Sequence, residues 1–464
     1  MKPHLSLLTL CLLLGACGST AQRPDSGIQP PSSWQSPHTQ NATHRNLQWW
    51  TQFGSPELDR LIEQARVGSY DLAAAIARVR QAQADTVIAG GSLLPEVKAG
   101  LNANRQKLLR GSGYSQLDAD SSNKAVDYFD ANLSATYEID FWGGQRASRD
   151  SAQFGLQASE FDQATVELTL LSGVANSYAQ ALSLREQSRI AGLNLANAQN
   201  VLNLVQTRFD SGSATALELA QQKSLVAAQQ RQLPLVQQQA QDALISLAAL
   251  LGRPVQQLRL GAERFEQLSW PTIAAGVPSE LLTRRPDIAR AEAQLAAAQA
   301  DVTVARAAML PAVTLSAELG SGADRAADIL RNPFYNLTAG LLAPVFNNGR
   351  LSAERDKATA RQEELLENYR GAIINGFADV EKALNGIRGL DEQRQWQVEE
   401  LNQAQTAFNI AQSRYEAGAE DLLTVLETQR TLYAAQDLNV QLRLSRLQAS
   451  IALYKALGGG WQAL

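Results

Sequence analysis

Cysteine and histidine are almost absent from this chain of 464 residues. The two cysteines, Cys11 and Cys17, and the three histidines, His4, His38 and His44, all lie close to the N-terminus. The body of the chain therefore has no thiol for a disulfide and no thiol or imidazole for a metal site. A catalytic triad that needs histidine is excluded as well, whereas chemistry carried by carboxylates alone is not.

An excess of charge of one sign and long apolar runs are also lacking. The chain has 41 basic and 46 acidic residues, a net charge of −5, which gives no electrostatic footprint for nucleic acid. No stretch after residue 17 is apolar over the length that a transmembrane helix needs. Proline is scarce, with 15 in the chain, and long stretches of Ala, Leu and Gln favour helix.

The N-terminus has the features of an export signal. Lys2 precedes an apolar run over residues 5–14, too short for a permanent membrane span, which predicts a signal peptide over residues 1–16. The string Leu14-Gly15-Ala16-Cys17 resembles a bacterial lipobox, so that Cys17 is the candidate lipidation site. Ordinary signal cleavage beside an incidental cysteine is the alternative. Gly18 stands where an aspartate would signal retention in the inner membrane.

The folded part is expected to start after a polar segment. Residues 18–46 are rich in Ser, Pro, Gln, Asn and Thr, a composition typical of a flexible tether. The body begins near Trp49-Trp50, and Ser55-Pro56-Glu57 predicts a helix start, with Ser55 as its N-cap.

Four segments alternate strictly between apolar and polar residues, the period of a β-strand. They are residues 96–104, 128–139, 312–320 and 335–345. Strands of this length with a small polar face suit a membrane barrel around a wet lumen. A soluble half-buried sheet has the same pattern, so both interpretations stay open at this point.

Four strands cannot close a barrel, because the smallest common barrels have about eight. An open sheet edge in lipid leaves backbone groups unpaired, at a cost of several kcal/mol each. If these strands lie in a membrane, the barrel must be shared between copies of the chain.

Long helices are predicted for most of the remainder. Residues 147–233 contain no proline, and a helix of ~60 residues would be about 90 Å long, which exceeds a bilayer and fits a periplasmic crossing. Pro234 should bend the returning helix locally. A second long helical run covers about residues 351–413.

The two halves of the chain repeat each other. Residues 81–85 match residues 297–301 at an offset of 216, and Arg208-Phe209 matches Arg414-Tyr415 at an offset of 206. Each half therefore has the order helix, strand, loop, strand, long helix, turn, helix, which indicates a lengthwise duplication.

Five strings, in order along the chain, carry a family resemblance. They are Trp49-Trp50…Phe53…Pro56-Glu57-Leu58, Tyr137 to Gly143, Leu281-Leu282…Arg284 to Ile288, Pro344-Val345-Phe346…Gly349-Arg350 and Lys455 to Trp461. With them the chain resembles the TolC-like outer-membrane factors, in particular the NodT-type efflux lipoproteins, over residues 49–461. The resemblance implies a mainly α fold with a β-barrel part. A homotrimer would form a 12-stranded membrane barrel, with four strands from each chain, on a long periplasmic α-helical barrel.

The resemblance also implies where the periplasmic gate lies. By it, Leu423 and Glu427 line the constriction, Arg430 takes part in polar links that hold it shut, and Tyr415 matches a tyrosine of the tip. The sequence departs from the family in two ways: aspartate is commoner where Glu427 stands, and the acid that some members carry at the position of Thr424 is missing. The alternative for Glu427 and Arg430 is an exposed i,i+3 surface pair worth ~0.2–0.5 kcal/mol.

Two further groups of residues need an interpretation. The turns around Arg208 and Gly212 and around Arg414 and Gly418 are the expected docking surface for a periplasmic adaptor. Arg284-Arg285-Pro286-Asp287 is interpreted as structural, with Pro286 opening a helix and Asp287 beside its positive end, rather than as a ligand site.

These observations predict a division of the chain into seven segments. They are the signal peptide (1–16), the lipidated tether (17–48), periplasmic helices (49–92), the first β-hairpin of the membrane barrel (93–140), long periplasmic helices with an equatorial segment (141–309), the second β-hairpin (310–346), and long helices with the gate tip and a C-terminal equatorial segment (347–464).

The predicted function is that of the outer-membrane channel subunit of a tripartite efflux system, a passive exit duct for small molecules such as drugs or siderophores. It is expected to be lipid-anchored in the bacterial outer membrane and to extend into the periplasm. Its expected partners are a periplasmic adaptor (membrane fusion protein), an inner-membrane RND or ABC-type transporter and outer-membrane lipids, with no cofactor, metal or nucleic acid. A structural coiled-coil lipoprotein that spans the envelope and a type I protein-secretion duct are the alternatives. An enzyme is disfavoured, because the body lacks His and Cys and no Gly-x-Ser-x-Gly or phosphate loop is present.

Overall fold

The computed structural model describes residues 25–36, 48–107, 126–261 and 263–461. Within these ranges the chain forms eight α-helices and four β-strands. The helices are α1 (Pro56–Gly68), α2 (Tyr70–Gly91), α3 (Gly144–Asp210), α4 (Ala216–Leu250), α5 (Pro278–Arg284), α6 (Pro286–Ala307), α7 (Arg350–Glu416) and α8 (Leu422–Ala456). The strands are β1 (Glu96–Gln106), β2 (Val126–Ile139), β3 (Ala312–Ala323) and β4 (Pro333–Leu342).

The chain divides into two compact units. The first contains Val79–Ala158 and Ala291–Tyr369, and the second contains Ile28–Arg78, Ser159–Arg290 and Arg370–Leu464. No helix among the described residues is long and apolar enough to span a membrane.

The first unit is built around a single antiparallel sheet with the strand order β1-β2-β3-β4. β1 and β2 form one hairpin, with Glu96 opposite Thr136, and β3 and β4 form the other, with Ala312 opposite Leu342. The central pair β2–β3 joins the two halves of the chain, with Leu133 opposite Leu319. The four alternating segments of the sequence thus lie in the four strands.

The fourth strand is shorter at its end than the alternation predicts. The pattern continues to Val345, but β4 stops at Leu342. Pro344 follows and has no backbone N–H to continue a ladder, which accounts for the early end. Both Val345 and Phe346 are almost fully exposed.

Two long helices follow the two hairpins. α3 and α7 have 67 residues each, which corresponds to about 100 Å of helix. Each starts after a glycine in the left-handed region, Gly143 at φ +75° and Gly349 at φ +78°. α4 continues through Pro234 for all of its 35 residues, so this proline does not end the helix.

The main core of the second unit lies where α1, α3, α4 and α8 meet the aromatic residues of the N-terminal part. Trp49, Trp50 and Phe53, on a short 3₁₀ helix, are at most 2% exposed and pack with Tyr178 and Leu247. α1 begins as predicted, because the Ser55 Oγ accepts the Leu58 N–H at 3.0 Å.

A second core of this unit contains a residue of the segment that was expected to be a flexible tether. The Trp34 side chain is 5% exposed, its indole N–H donates to the Gly276 carbonyl at 2.9 Å, and its ring meets Phe377 edge-on. The backbone N–H groups of the next two residues donate to the Glu381 carboxylate at 2.5 and 3.2 Å. Composition alone therefore gives the wrong expectation around residue 34, where one aromatic side chain docks the segment.

Candidate functional site

The second unit contains two helical turns with the same construction. Residues 211–215 connect α3 to α4, and residues 417–421 connect α7 to α8. Gly212 and Gly418 have φ angles of +74° and +76°. The next N–H in each turn returns to the long helix, from Ser213 to the Arg208 carbonyl at 2.7 Å and from Ala419 to the Arg414 carbonyl at 2.8 Å. Both helices therefore end in a Schellman motif, with glycine at the left-handed position.

The helices that leave these turns are capped by different side chains. Thr215 and Glu218 form a reciprocal capping box at the start of α4. At the start of α8 the Asp421 carboxylate accepts the Thr424 backbone N–H at 2.9 Å and its hydroxyl at 2.8 Å. These two bonds hold the pKa of Asp421 below its usual range.

One arginine links the two turns. The Arg208 guanidinium lies over the Tyr415 ring, 4.3 Å from its centroid. Its Nη2 donates to the Tyr415 carbonyl at 2.6 Å and to the Glu416 carbonyl at 3.2 Å. A cation at the negative end of a helix is favourable, and here it fastens the end of α7 to the end of α3.

The equivalent arginine of the second half has a different role. Arg414 bonds within its own turn, from Nε to the Glu420 carboxylate at 3.2 Å and from Nη2 to the Ala419 carbonyl at 3.3 Å. The sequence repeat aligns Arg208 with Arg414, but it carries no signal that only Arg208 crosses to the other turn.

The predicted gate residues separate into two places. Leu423, Glu427 and Arg430 lie at positions i, i+4 and i+7 of α8 and form one exposed stripe, with Leu423 53% exposed. Within the described ranges no ion pair joins Glu427 to Arg430. Tyr415 is not on this stripe: it is 2% exposed and packs under Arg208. Burial raises the pKa of Tyr415, and the charge of Arg208 opposes this shift.

The remaining predicted residues are placed as follows. Gly212 and Gly418 occupy the left-handed positions of the turns. Cys17 lies outside the described residues. Arg285, which was interpreted as structural, is buried between Asp287 and Asp379, and α6 begins at Pro286 as expected.

Duplicated helical arms, one four-stranded antiparallel sheet and a pair of equivalent turns define a class of outer-membrane channel protein. The chain matches the family described as "Outer membrane efflux protein" over residues 61–253 and 277–459. It belongs to this family and is an outer-membrane efflux channel protein that extends into the periplasm. The resemblance and the duplicated fold expected from the sequence are confirmed. The family is one of channels, not enzymes, which also removes the structural lipoprotein as an alternative.

The similarity to particular proteins covers nearly the whole chain. It is 65% identical to the pyoverdine export outer membrane protein OpmQ of Pseudomonas aeruginosa, over 99% of this chain and 97% of that protein. The protein of the same description from Pseudomonas putida is 63% identical, over 99% and 98% of the two chains. Among solved structures, the outer-membrane channel OprN superimposes with a TM-score of 0.86 at 26% identity, over 96% of this chain and 100% of that one.

Proposed function

We propose that this chain is the outer-membrane exit duct for pyoverdine. The observation that supports this substrate is the 65% identity, over 461 residues, to a pyoverdine export outer membrane protein. Relatives described as toluene or cation efflux proteins are only 28–30% identical. A small-molecule substrate is therefore favoured over the protein-secretion alternative.

The proposed assembly is a homotrimer in which three four-stranded sheets form one 12-stranded membrane barrel. β1 and β4 are the edges of the sheet within one chain. In lipid their unpaired backbone groups would each cost several kcal/mol, and pairing β4 of one copy with β1 of the next removes this cost. A periplasmic adaptor and an inner-membrane RND or ABC-type pump would supply the substrate from the periplasmic side.

The proposed gate is the stripe of Leu423, Glu427 and Arg430. In a trimer three copies of the stripe would surround the threefold axis, where a ring of carboxylates favours cations over anions. The Arg208–Tyr415 contact would support this gate indirectly, because it fixes the end of α7 just before α8 starts.

The proposed adaptor-docking surface is the pair of turns that contains Arg208, Gly212, Arg414 and Gly418. Because the Arg208 guanidinium is held by carbonyls of α7, we expect this residue to shape the turn rather than to reach a partner with its side chain. The proposed membrane anchor is a lipid on Cys17. Palmitate labelling should be lost in a Cys17→Ser variant that still folds, and persistent labelling would contradict this site.

The proposed substrate can be tested in a pyoverdine-producing strain from which this gene and the other outer-membrane channels of its family have been deleted. Pyoverdine is quantified by mass spectrometry in the medium and in periplasmic extracts. We expect it to fall in the medium and accumulate in the periplasm, and the wild-type gene to reverse both changes. Unchanged export in the deletion strain would contradict the proposal. A loss of secreted proteins with normal pyoverdine export would favour the protein-secretion alternative.

A further inference from the structure

The four long helical arms of the second unit form a row with two free ends. Gln222 of α4 donates to the Ala198 carbonyl of α3, Tyr433 of α8 donates to the Asn194 carbonyl of α3, and Gln397 of α7 donates to a carbonyl of α8, all at 2.8–2.9 Å. These bonds give the order α4-α3-α8-α7. In a closed ring of copies, α7 of one copy then lies beside α4 of the next.

The free end at α7 has an exposed stripe with an unusual residue in its middle. Glu392, Trp396 and Glu399 are at positions i, i+4 and i+7, on the side of α7 away from the buried Gln397. The Trp396 side chain is 72% exposed. A large exposed aromatic residue between two acids is the pattern of an interface anchor with a polar rim.

The free end at α4 has a complementary stripe. Arg231, Leu235 and Gln238 are also at positions i, i+4 and i+7 and are exposed, and Leu235 is 41% exposed. Among the described residues Arg231 has no ion-pair partner, and only it and Lys223 are basic along the whole of α4. The stripe thus offers one cation, one apolar side chain and one amide.

The two stripes lie at matching distances from the turns. α7 runs toward its turn and α4 runs away from its own, so that the helices are antiparallel, and the Arg208–Tyr415 contact keeps the two turns side by side. Counted from the helix ends Glu416 and Ala216, Trp396 is 20 residues away (416 − 396) and Leu235 is 19 (235 − 216). At ~1.5 Å per residue, both are about 30 Å from the turns.

The outer residues of the two stripes also lie at similar distances from the turns. Glu399 is 17 residues from the end of α7 (416 − 399), and Arg231 is 15 from the start of α4 (231 − 216). Glu392 and Gln238 are 24 and 22 residues away (416 − 392 and 238 − 216). Because rotation about the axis of a ring preserves height, residues at equal height on the two free ends face each other in neighbouring copies.

We propose that these two stripes form an interface between copies of this chain. Trp396 of one copy packs against Leu235 of the partner subunit, and Glu399 pairs with Arg231 of the partner subunit. Glu392 accepts a hydrogen bond from Gln238 of the partner subunit. This inference rests on the homotrimer of the proposed function and deepens it, because it names the contact that closes the ring of helices.

The geometry can be tested by cysteine cross-linking in a background without native thiols, Cys11→Ser with Cys17→Ser. A chain with Leu235→Cys and Trp396→Cys should form intermolecular disulfides on mild oxidation, up to a covalent trimer on non-reducing gels. The matched control combines Leu235→Cys with Gln403→Cys, which lies on the same stripe about 10 Å nearer the turn. It should stay unlinked, because a disulfide requires Cα atoms within ~7 Å.

The charge pairing needs a second measurement. Arg231→Glu should lower the temperature at which the unboiled trimer dissociates, and adding Glu399→Lys should restore at least half of that loss. An intact trimer in which the Leu235/Trp396 pair does not cross-link, or cross-links no better than the control, would overturn the inference and leave the homotrimer standing. A chain that is monomeric would overturn both. Cross-linking of a lone Trp396→Cys to an adaptor protein instead of a second copy would also overturn the inference.

Discussion

Arg285 shows how one side chain can tie several segments of the second unit together. Its Nε and Nη2 donate to the Asp287 carboxylate at 2.9 and 2.6 Å, and its Nη1 donates to Asp379 at 3.0 Å. The same Nη1 reaches the Ala456 carbonyl at the end of α8 at 3.3 Å. A guanidinium has the fork of donors that this arrangement needs, whereas a lysine does not.

We expect Arg285→Ala to destabilise the fold by about 3–5 kcal/mol, because it leaves the half-buried Asp287 without its counter-charge. The neighbouring Arg284→Ala is the control. Arg284 forms a partly exposed i,i+4 pair with Glu280, whose loss should cost no more than ~1 kcal/mol. Thermal unfolding followed by circular dichroism compares the two, and equal losses would contradict the structural role of Arg285.

Arg285 should also determine part of the loss of fold stability at acid pH. Burial alone would raise the pKa of Asp287, but its bonds and attraction to Arg285 outweigh burial and hold the pKa below its usual range. A carboxyl with a lowered folded-state pKa stabilises the fold above its unfolded value of ~3.9 and loses this contribution as pH falls through the folded value. The thermal unfolding midpoint of the wild-type protein should therefore fall as the pH is lowered below about 4. The midpoint of the Arg285→Ala variant should change less with pH over the same range.

The sequence predicts local features at the residue scale and misses distant ones. The Ser55 cap and the helix start at Pro286 depend on neighbours within four residues, so the sequence contains everything needed to predict them. The docking of Trp34 on Gly276 joins residues 242 positions apart. No local pattern encodes such a pair, and the Ser- and Pro-rich surroundings of Trp34 point the other way.

At the scale of elements, the two turns depend on glycine for their conformation. Gly212 has φ +74° with open space around it, so that an added Cβ meets no atom and only the backbone is strained. We expect Gly212→Ala to cost about 1–2 kcal/mol. Gly192 has open space too but lies inside α3, where alanine should stabilise by about 0.5–1 kcal/mol. Opposite shifts of the thermal midpoint would support this reading of the turns, and shifts of the same sign would contradict it.

The elements themselves follow closely from sequence periodicity. The alternation that predicts β2 over 128–139 lies within the observed Val126–Ile139, and the helical run 351–413 lies within Arg350–Glu416. One boundary differs from the prediction where a single residue decides: Pro344 ends β4 early. The other proline within a predicted element, Pro234, leaves α4 continuous. Proline removes one hydrogen bond in either place, and the neighbouring packing determines whether the element tolerates that loss.

At the scale of the whole molecule, the two halves have the same order of elements, but equivalent residues make different contacts. Both halves build the same turn, yet Arg208 crosses to the other half while Arg414 stays within its own. At the offset of 206, the positions of α4 that match Leu423, Glu427 and Arg430 are Leu217, Gln221 and Ser224, none of which is charged. In the proposed trimer, charges at these matching positions would therefore come from the second halves only.

This asymmetry makes the gate assignment testable by conductance. We expect the double variant Glu427→Ala with Arg430→Ala to show single-channel steps in a planar bilayer several-fold larger than those of the wild-type protein. The reason is that the polar links proposed to hold the neck shut would be removed three at a time in a trimer.

The control for this measurement is Arg361→Ala with Glu364→Ala, which removes an exposed i,i+3 ion pair of α7 outside the turns. It should leave conductance unchanged. If the Glu427/Arg430 variant also conducts like the wild type, these two residues are merely an exposed surface pair. The constriction would then have to be sought at the Arg208–Tyr415 contact, where replacing Arg208 frees the end of α7 without changing the charge of the stripe.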